Sequence, residues 1–232
     1  VVGGDIDLEG AIDVNGTANL DIVDVDGAVN FAADVTYADG ADIITASAGT
    51  SNFRAGVNAG NTIESGGNYN VVVGDEAGTA ITTGDNNTAI GYAALDANTT
   101  ASDNTAVGYA SLGANTTGIR NVAVGATALD ANTTGYDNIG VGVASLGVHT
   151  TGYANIAIGS YALDANTTAN HNIGIGRYAL SSNTTGASNT AIGNDSLAAN
   201  TTASNNTAVG ATALDANTTG TENVAVGAGA LT

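Results

Sequence analysis

Residues 87–120 read NTAIGYAALDANTTASDNTAVGYASLGANTTGIR, and the second half of this stretch repeats the first half with a period of 17. The same period continues in both directions and yields ten copies that each begin with Asn. The starting residues are Asn70, Asn87, Asn104, Asn121, Asn138, Asn155, Asn172, Asn189, Asn206 and Asn223. Self-similarity at a fixed period is the signature of a repeat architecture, in which each copy forms one structural unit.

We number the positions of the unit from 1 at the Asn to 17. Position 4 is always Val or Ile, position 5 is always Gly, and position 9 is Leu in every copy but the first. Position 3 is Ala or Gly in all copies but the first, and positions 13 and 14 are Thr-Thr in every copy that reaches them. Three copies illustrate the structural residues of the repeat, which are Ile90, Gly91, Leu95, Val107, Gly108, Leu112, Val124, Gly125 and Leu129.

The repeat favours strand over helix. Gly at position 5 and β-branched residues at positions 2, 4, 13 and 14 each cost several tenths of a kcal/mol in a helix, and no helical apolar spacing persists. We therefore expect a strand whose positions 2 and 4 share one face while position 3 lies on the other. Gly at position 5 turns the chain, and the N-T-T-G segment is expected to form a second short strand and turn, with Asn and Gly supplying positive φ angles.

One unit of this kind cannot fold alone. Burying its Val or Ile and its Leu yields about 3–6 kcal/mol, whereas ordering the backbone of 17 residues costs about 17–34 kcal/mol. The units must therefore stack, which predicts an all-β parallel solenoid of ten coils over residues 70–232, after an imperfect first coil over residues 52–69. The small residues at position 3 predict that this strand face meets identical chains at a symmetry axis, and we expect a homotrimer.

Residues 1–51 follow another pattern, in which apolar residues such as Ile6 and Leu8 alternate with acidic residues such as Asp5 and Asp7. Glycines interrupt the alternation, which is typical of short strands with one acidic face. This stretch predicts an acidic β stalk that needs partner chains. Its Asp5, Asp7 and Glu9 have calcium-loop spacing, but Gly16 stands where a bidentate Glu is required, so a solvated strand face is the preferred interpretation.

The composition excludes several function classes. The chain has no Lys and no Cys, and its net charge is −19. Such a charge repels nucleic acid and anionic membranes, and no apolar stretch reaches the length of a membrane-spanning helix. We expect neither nucleic-acid binding nor membrane insertion.

The remaining polar residues do not predict chemistry. Asp at position 10 never occurs in adjacent copies, which places these carboxylates about 10 Å apart and too far to share a cation. His149 and His171 occupy different positions of the unit, without a recurring nucleophile or carboxylate. We expect no metal, no cofactor, no catalytic residue and no enzymatic activity. Seven N-T-T triplets match the glycosylation sequon, but turn chemistry explains them without sugar.

Two surface features are expected from the register. Tyrosines recur at the period of the repeat and should stack on adjacent coils. Exposed aromatic rings can hold a saccharide, and the candidate contacts are Tyr92, Tyr109, Tyr161 and Tyr178. A third pair is Tyr136 with Tyr153. Position 17 carries Asp103, Arg120 and Asp137 in successive copies, which predicts an exposed ion ladder that helps to set the register.

The run NTAIGYAALDANTTASDNTAVGYASL resembles the Ala-Ile-Gly repeats of trimeric autotransporter adhesin heads. It is also similar to the longer NTAIGYxAL and NTTG repeats in tail fibres of marine tailed phages, where stalk segments like Asp26-Gly27-Ala28-Val29 commonly precede them. The resemblance covers residues 52–232 well and the stalk loosely. It implies a left-handed β-roll in a homotrimer.

The function expected from this resemblance is a structural tail-fibre segment of a phage virion, acting as a stiff spacer and host-attachment element. Its expected partners are identical chains, other virion or fibre proteins and a host-surface saccharide. A bacterial trimeric adhesin head at the cell surface is the alternative. The Thr pairs suggest an ice-binding solenoid as a third possibility, although adjacent strand residues face opposite sides, so that only one Thr column would face ice.

Overall fold

The computed structural model describes residues 48–232, which form eleven short parallel strands and no helix. The predicted stalk lies outside the described residues, apart from residues 48–51. The strands are β1 (Phe53–Ala55), β2 (Val71–Val73), β3 (Thr88–Ile90), β4 (Thr105–Val107), β5 (Val122–Val124), β6 (Ile139–Val141), β7 (Ile156–Ile158), β8 (Ile173–Ile175), β9 (Thr190–Ile192), β10 (Thr207–Val209) and β11 (Val224–Val226).

The strands form one sheet in chain order, and each strand pairs in parallel with the strands before and after it. From β2 onward the paired residues are one repeat apart, so that Thr88 pairs with Thr105 and Thr105 with Val122. The imperfect coil over residues 52–69 is one residue longer than a repeat, yet Phe53 of β1 still pairs with Val71 of β2. The predicted all-β parallel solenoid is confirmed.

The core is a column of small residues and leucines inside the coils. Ala106 at position 3, Ser111 at position 8 and Leu112 at position 9 are fully buried, and other coils repeat this arrangement. Position 3 therefore faces the interior of its own chain, and the prediction that it meets other chains is wrong. The physical reason is the size of the interior, where position 3 packs against the Leu of position 9 and only a small side chain fits. Even a Cβ added at Gly140 would lie 3.0 Å from Ser145 Oγ and 3.3 Å from Leu129 Cγ.

The inward turn of position 3 leaves positions 2 and 4 on the outside. In most coils the middle residue of the strand is buried while its two neighbours are at least partly exposed. We call these outward side chains of β2–β11, which are Thr, Val or Ile, the outward strand face.

The N-T-T-G segment is not a strand, and the prediction of a second strand is wrong. The amides of Thr116 and Thr117 both donate to the carbonyl of Thr133 in the next coil, at 3.0 and 3.2 Å. Two consecutive amides that share one acceptor cannot alternate as they do in a strand. The segment bends instead, and Thr116 and Thr117 are both exposed. The prediction that adjacent threonines face opposite sides is therefore also wrong.

Positive φ angles occur at positions 5, 7, 9 and 17 rather than in the N-T-T-G segment. Gly108 at position 5 has a φ of 138°, and Leu112 at position 9 has a φ of 51°. A left-handed Leu is costly by itself, so burial of its side chain must hold it there. The tight turn around Leu is what closes so short a coil.

Two columns of buried Asn run through the rod. At position 1, the amide of Asn121 donates to Oδ1 of Asn104 at 3.0 Å, and Asn121 Nδ2 donates to the carbonyl of Gly135 at 2.8 Å. At position 12, Asn115 Nδ2 donates to the carbonyl of Gly118 at 2.9 Å. Asn98 and Asn115 are fully buried, so the sequon Asn is inaccessible in these folded coils, and its side chain serves the turn by bonding the carbonyl three residues on.

Candidate functional site

The outward strand face is an unpartnered apolar surface on the described residues. Val124 is 37% exposed and Ile158 is 41% exposed, and both belong to the position 4 column. Soluble monomers rarely expose a continuous apolar surface of this kind, and such surfaces mark interaction sites.

Two tyrosine pairs form stacked rings on adjacent coils, as their spacing predicts. The ring centroids of Tyr92 and Tyr109 at position 6 lie 5.6 Å apart at an interplanar angle of 12°. Those of Tyr161 and Tyr178 at position 7 lie 5.3 Å apart at 20°. The guanidinium of Arg177 lies over the Tyr178 ring, 4.4 Å from its centroid. The fold therefore brings the four candidate saccharide contacts together as two separate stacks.

A third aromatic group lies at positions 16 and 17. The rings of Tyr136 and Tyr153 are parallel with centroids 5.0 Å apart, and the His171 ring meets Tyr153 edge-on at 5.0 Å. The contribution of His171 was missed from the sequence. Its position 17 next to the tyrosine column at position 16, one coil further on, is the signal that could have predicted it.

The predicted ion ladder forms in part. Arg120 Nε lies 2.6 Å from Asp137 Oδ1, and its Nη2 donates to Asp137 Oδ2 at 3.0 Å. This hydrogen bonding lowers the pKa of Asp137 and raises the pKa of Arg120. Asp103 instead accepts a hydrogen bond from Asn86 Nδ2 at 3.1 Å. The three residues share a column, but one bidentate pair carries the contact.

Replacing Arg120 by Ala is expected to change the thermal midpoint of unfolding only slightly. The pair is exposed to solvent, where screening and side-chain entropy offset most of the attraction. The difference between variant and wild type should vanish at about 1 M salt, where charges are screened within about 3 Å. A large loss that persists at high salt, measured by circular dichroism, would contradict this assignment.

The position 10 carboxylates approach one another more closely than the backbone spacing suggests. Oδ1 of Asp130 lies 3.0 Å, and Oδ1 of Asp96 3.5 Å, from the point that a Cβ would occupy at Gly113. Burial raises the pKa of both side chains and that of Asp164. The prediction that these carboxylates are widely separated is therefore wrong for the side chains. Within residues 48–232, no three His, Cys, Asp or Glu side chains form a group that could hold a metal ion.

The position 12 Asn column is interrupted at His149. This side chain is fully buried, and neither of its ring nitrogens has a hydrogen-bond partner. Asn132 Oδ1 and Asn166 Nδ2, in the coils on either side, also lack partners. Burial lowers the pKa of His149, and nearby backbone groups of Gly152 and Asn166 offset this effect only in part. His149 thus interrupts the hydrogen bonding of the position 12 Asn column, and its buried ring is not accessible as a base.

Comparison of the chain with protein-family models, curated proteins and solved structures finds no match. In the part of the chain that the structure describes, no helix is long and apolar enough to cross a membrane. The class that the fold defines is a parallel β-solenoid. Its candidate functional features are the outward strand face and the exposed tyrosine stacks.

Proposed function

We propose that the chain is a structural segment of a phage tail fibre, which acts as a stiff spacer and presents attachment contacts to a host surface. The observation that carries the proposal is the unbroken, in-register pairing of the coils from β1 to β11. At about 4.8 Å per coil, this ladder makes a rod about 50 Å long from a chain with little core. The virion context rests on the resemblance of the repeat to tail-fibre repeats.

The proposed mechanism is mechanical and multivalent, without catalysis or cofactor. Residues 48–232 contain 12 acidic residues and three Arg, and the resulting net charge of −9 helps to keep the rod soluble. Weak contacts to a saccharide become effective when several copies bind the same surface. Other virion proteins hold the rod, and its location is the outside of the particle. A bacterial adhesin head would use the same fold at a cell surface.

Self-association through the outward strand face belongs to this proposal. The position 4 residue of this face is Val or Ile in every coil from β2 to β11, so identical chains can meet along its length. The homotrimer rests on the resemblance, which implies three chains. The small residues at position 3 no longer support it, since they fill the interior of a single chain.

The double variant Val124→Asp with Ile158→Asp is expected to dissociate the assembly without unfolding the coils. It places two charges on the outward strand face, two coils apart. Sedimentation equilibrium should give about three chain masses for the wild type and one for the variant. The double variant Thr134→Asp with Thr168→Asp is the matched control. It adds the same charges at the same spacing, but at position 14 and away from the outward strand face. A one-chain mass for the wild type, or equal dissociation of the control, contradicts the proposal.

The fibre function itself is tested by labelling. Antibodies against the purified rod are applied to phage particles and to bacterial cells, and the label is located by electron microscopy. Label on fibres that project from a particle supports the fibre, and label on the bacterial envelope supports the adhesin. Label on neither overturns both.

One observation favours the ice-binding alternative as a second candidate. Both Thr columns face outward, and the position 13 hydroxyls donate along the column, as Thr133 Oγ1 does to the carbonyl of Thr150 at 3.1 Å. This arrangement removes the objection that one column is turned inward. Thermal hysteresis of the purified rod would support the ice-binding function, and its absence would end it.

A further inference from the structure

Stacking leaves only some tyrosine faces free. In each of the two stacks, one face of every ring lies against its partner ring. The second face of Tyr178 is taken by the guanidinium of Arg177, whose Nη2 also donates to the Tyr178 hydroxyl at 3.2 Å. The second face of Tyr92 looks toward the preceding coil, which carries Asp75 and Glu76 at positions 6 and 7.

The free faces of Tyr109 and Tyr161 look toward the same two coils. These coils lie between the stacks and carry small or apolar uncharged residues at positions 6 and 7. Tyr109 and Tyr161 are three coils apart, which separates them by about 14 Å along the rod. We call this surface the tyrosine bay; it consists of Tyr109, Ala126, Thr127, Val143, Ala144 and Tyr161. Val143 is 44% exposed at its centre.

Three hydrogen bonds between adjacent coils already occupy main-chain groups of the bay. The amide of Thr127 donates to the carbonyl of Tyr109 at 2.8 Å, that of Ala144 to Ala126 at 3.0 Å, and that of Tyr161 to Val143 at 2.9 Å. A peptide that adds a strand needs free main-chain groups at an edge, and these groups are not free. A ligand of the bay must therefore bind through a ring face and through hydroxyls that reach the tyrosine rims.

The charge of the bay selects among such ligands. Its six residues carry no charge, and Asp75 and Glu76 lie beyond the Tyr92 end. At the other end, Arg177 is held over the Tyr178 ring and donates to its hydroxyl, and residues 48–232 as a whole carry a net charge of −9. Acidic sugars such as uronic or sialic acids are disfavoured by this field. A neutral pyranose has the required shape, with one apolar ring face and a rim of hydroxyls.

We infer that the tyrosine bay binds a neutral, pyranose-containing saccharide whose apolar ring face stacks on Tyr109 or Tyr161. The inference rests on the proposed function, in which the fibre contacts a host-surface saccharide. It narrows the four candidate tyrosines to two and assigns the other two to supporting the stacks.

The experiment titrates the rod with the methyl glycosides of glucose, galactose, mannose and N-acetylglucosamine, followed by NMR of ring-labelled tyrosines. Methyl glucuronide and N-acetylphenylalanine amide serve as the acidic and the aromatic peptide probe. The double variant Tyr109→Ala with Tyr161→Ala should weaken binding of the preferred neutral glycoside at least about tenfold, through loss of both ring faces. The double variant Tyr136→Ala with Tyr153→Ala is the matched control, because it removes the two rings of the third stack, outside the bay, and should keep the wild-type affinity within about twofold.

A second pair of variants tests the centre of the bay, at Val143, and leaves both tyrosine stacks unchanged. Val143→Gln should weaken binding by a similar factor because its longer polar side chain fills the bay. Val148→Gln is the matched control, since Val148 lies in the same coil at position 11 and is 46% exposed. This pair keeps the test decisive if removal of Tyr109 and Tyr161 disturbs folding.

The outcomes separate the two proposals. If the wild type binds no neutral glycoside, both the bay and the saccharide part of the proposed function fail. If it binds but the bay variants and their controls behave alike, the bay is wrong and saccharide attachment stands. Stronger bay-dependent binding of methyl glucuronide or of N-acetylphenylalanine amide overturns the assignment to a neutral saccharide.

Discussion

Gly142→Ala is expected to destabilise the rod by about 3–6 kcal/mol, a large part of the stability of an ordinary domain. Gly142 stands at position 5 with a φ of 134°, a conformation that is essentially restricted to Gly. An added Cβ would lie 2.6 Å from the carbonyl carbon of Gly159 in the next coil. Because that atom belongs to a hydrogen-bonded backbone, it cannot move aside without breaking the ladder.

The measurement is the thermal midpoint of unfolding by circular dichroism, where about 6–24 °C should be lost at about 2–4 °C per kcal/mol. Gly227→Ala is the control that separates backbone strain from the steric clash with the next coil. Gly227 has nearly the same φ, 126°, but no atom lies within 4 Å of its added Cβ. This control should lose only the share due to backbone strain, about 1–3 kcal/mol. Equal losses in both variants would show that the stacked coil contributes nothing to the glycine requirement.

His149→Asn is expected to stabilise the rod by about 1–3 kcal/mol. Asn occupies position 12 in the coils on both sides, and at Asn132 its Nδ2 donates to Asn115 Oδ1 at 2.9 Å and to the carbonyl of Gly135 at 3.2 Å. An Asn at 149 can make the same contacts and provide a partner for Asn132 Oδ1, which has none beside His149. Guanidinium or thermal unfolding near pH 8 measures the gain. The reverse variant, Asn115→His, should introduce a second break and lose a similar amount.

The same substitution should remove an acid sensitivity. Burial lowers the pKa of His149 below its ordinary 6.5, so the unfolded chain binds the proton more tightly than the folded rod does. The contribution of His149 to stability is therefore intact above pH 6.5 and is lost as the pH falls from there toward the lower folded pKa. The thermal midpoint of unfolding, measured at intervals from pH 8 down to pH 5, should fall more steeply for the wild type than for His149→Asn. Equal slopes for the wild type and His149→Asn would contradict this assignment.

The features predicted correctly are those that recur in every copy. The period of 17, the Gly at position 5 and the β-branched residues around position 3 led to stacked parallel strands, and Thr105 pairs with Thr88 and Val122 as that period requires. Ring stacking of Tyr92 on Tyr109 followed from the same register. Such features depend on the spacing between coils, which the period and the geometry of a sheet specify together.

The features predicted incorrectly concern direction inside one coil. Strand alternation shows that position 3 opposes positions 2 and 4, but not which of the two faces is inside. The buried Leu of position 9 decides this, because only Ala or Gly fits opposite it. The same crowding places Leu112 at a positive φ, although Gly and Asn are the residues expected there.

The number, order and parallel register of the coils are thus properties of the amino-acid sequence, because a unit that cannot bury its own apolar residues has to stack on its copies. The tertiary structure decides which residues line the interior, where the chain turns and which tyrosine faces stay free. These features depend on how each coil closes around a core that holds a single Leu side chain per coil. Alternation and composition are the same for either choice of inner face, and only packing in three dimensions distinguishes them.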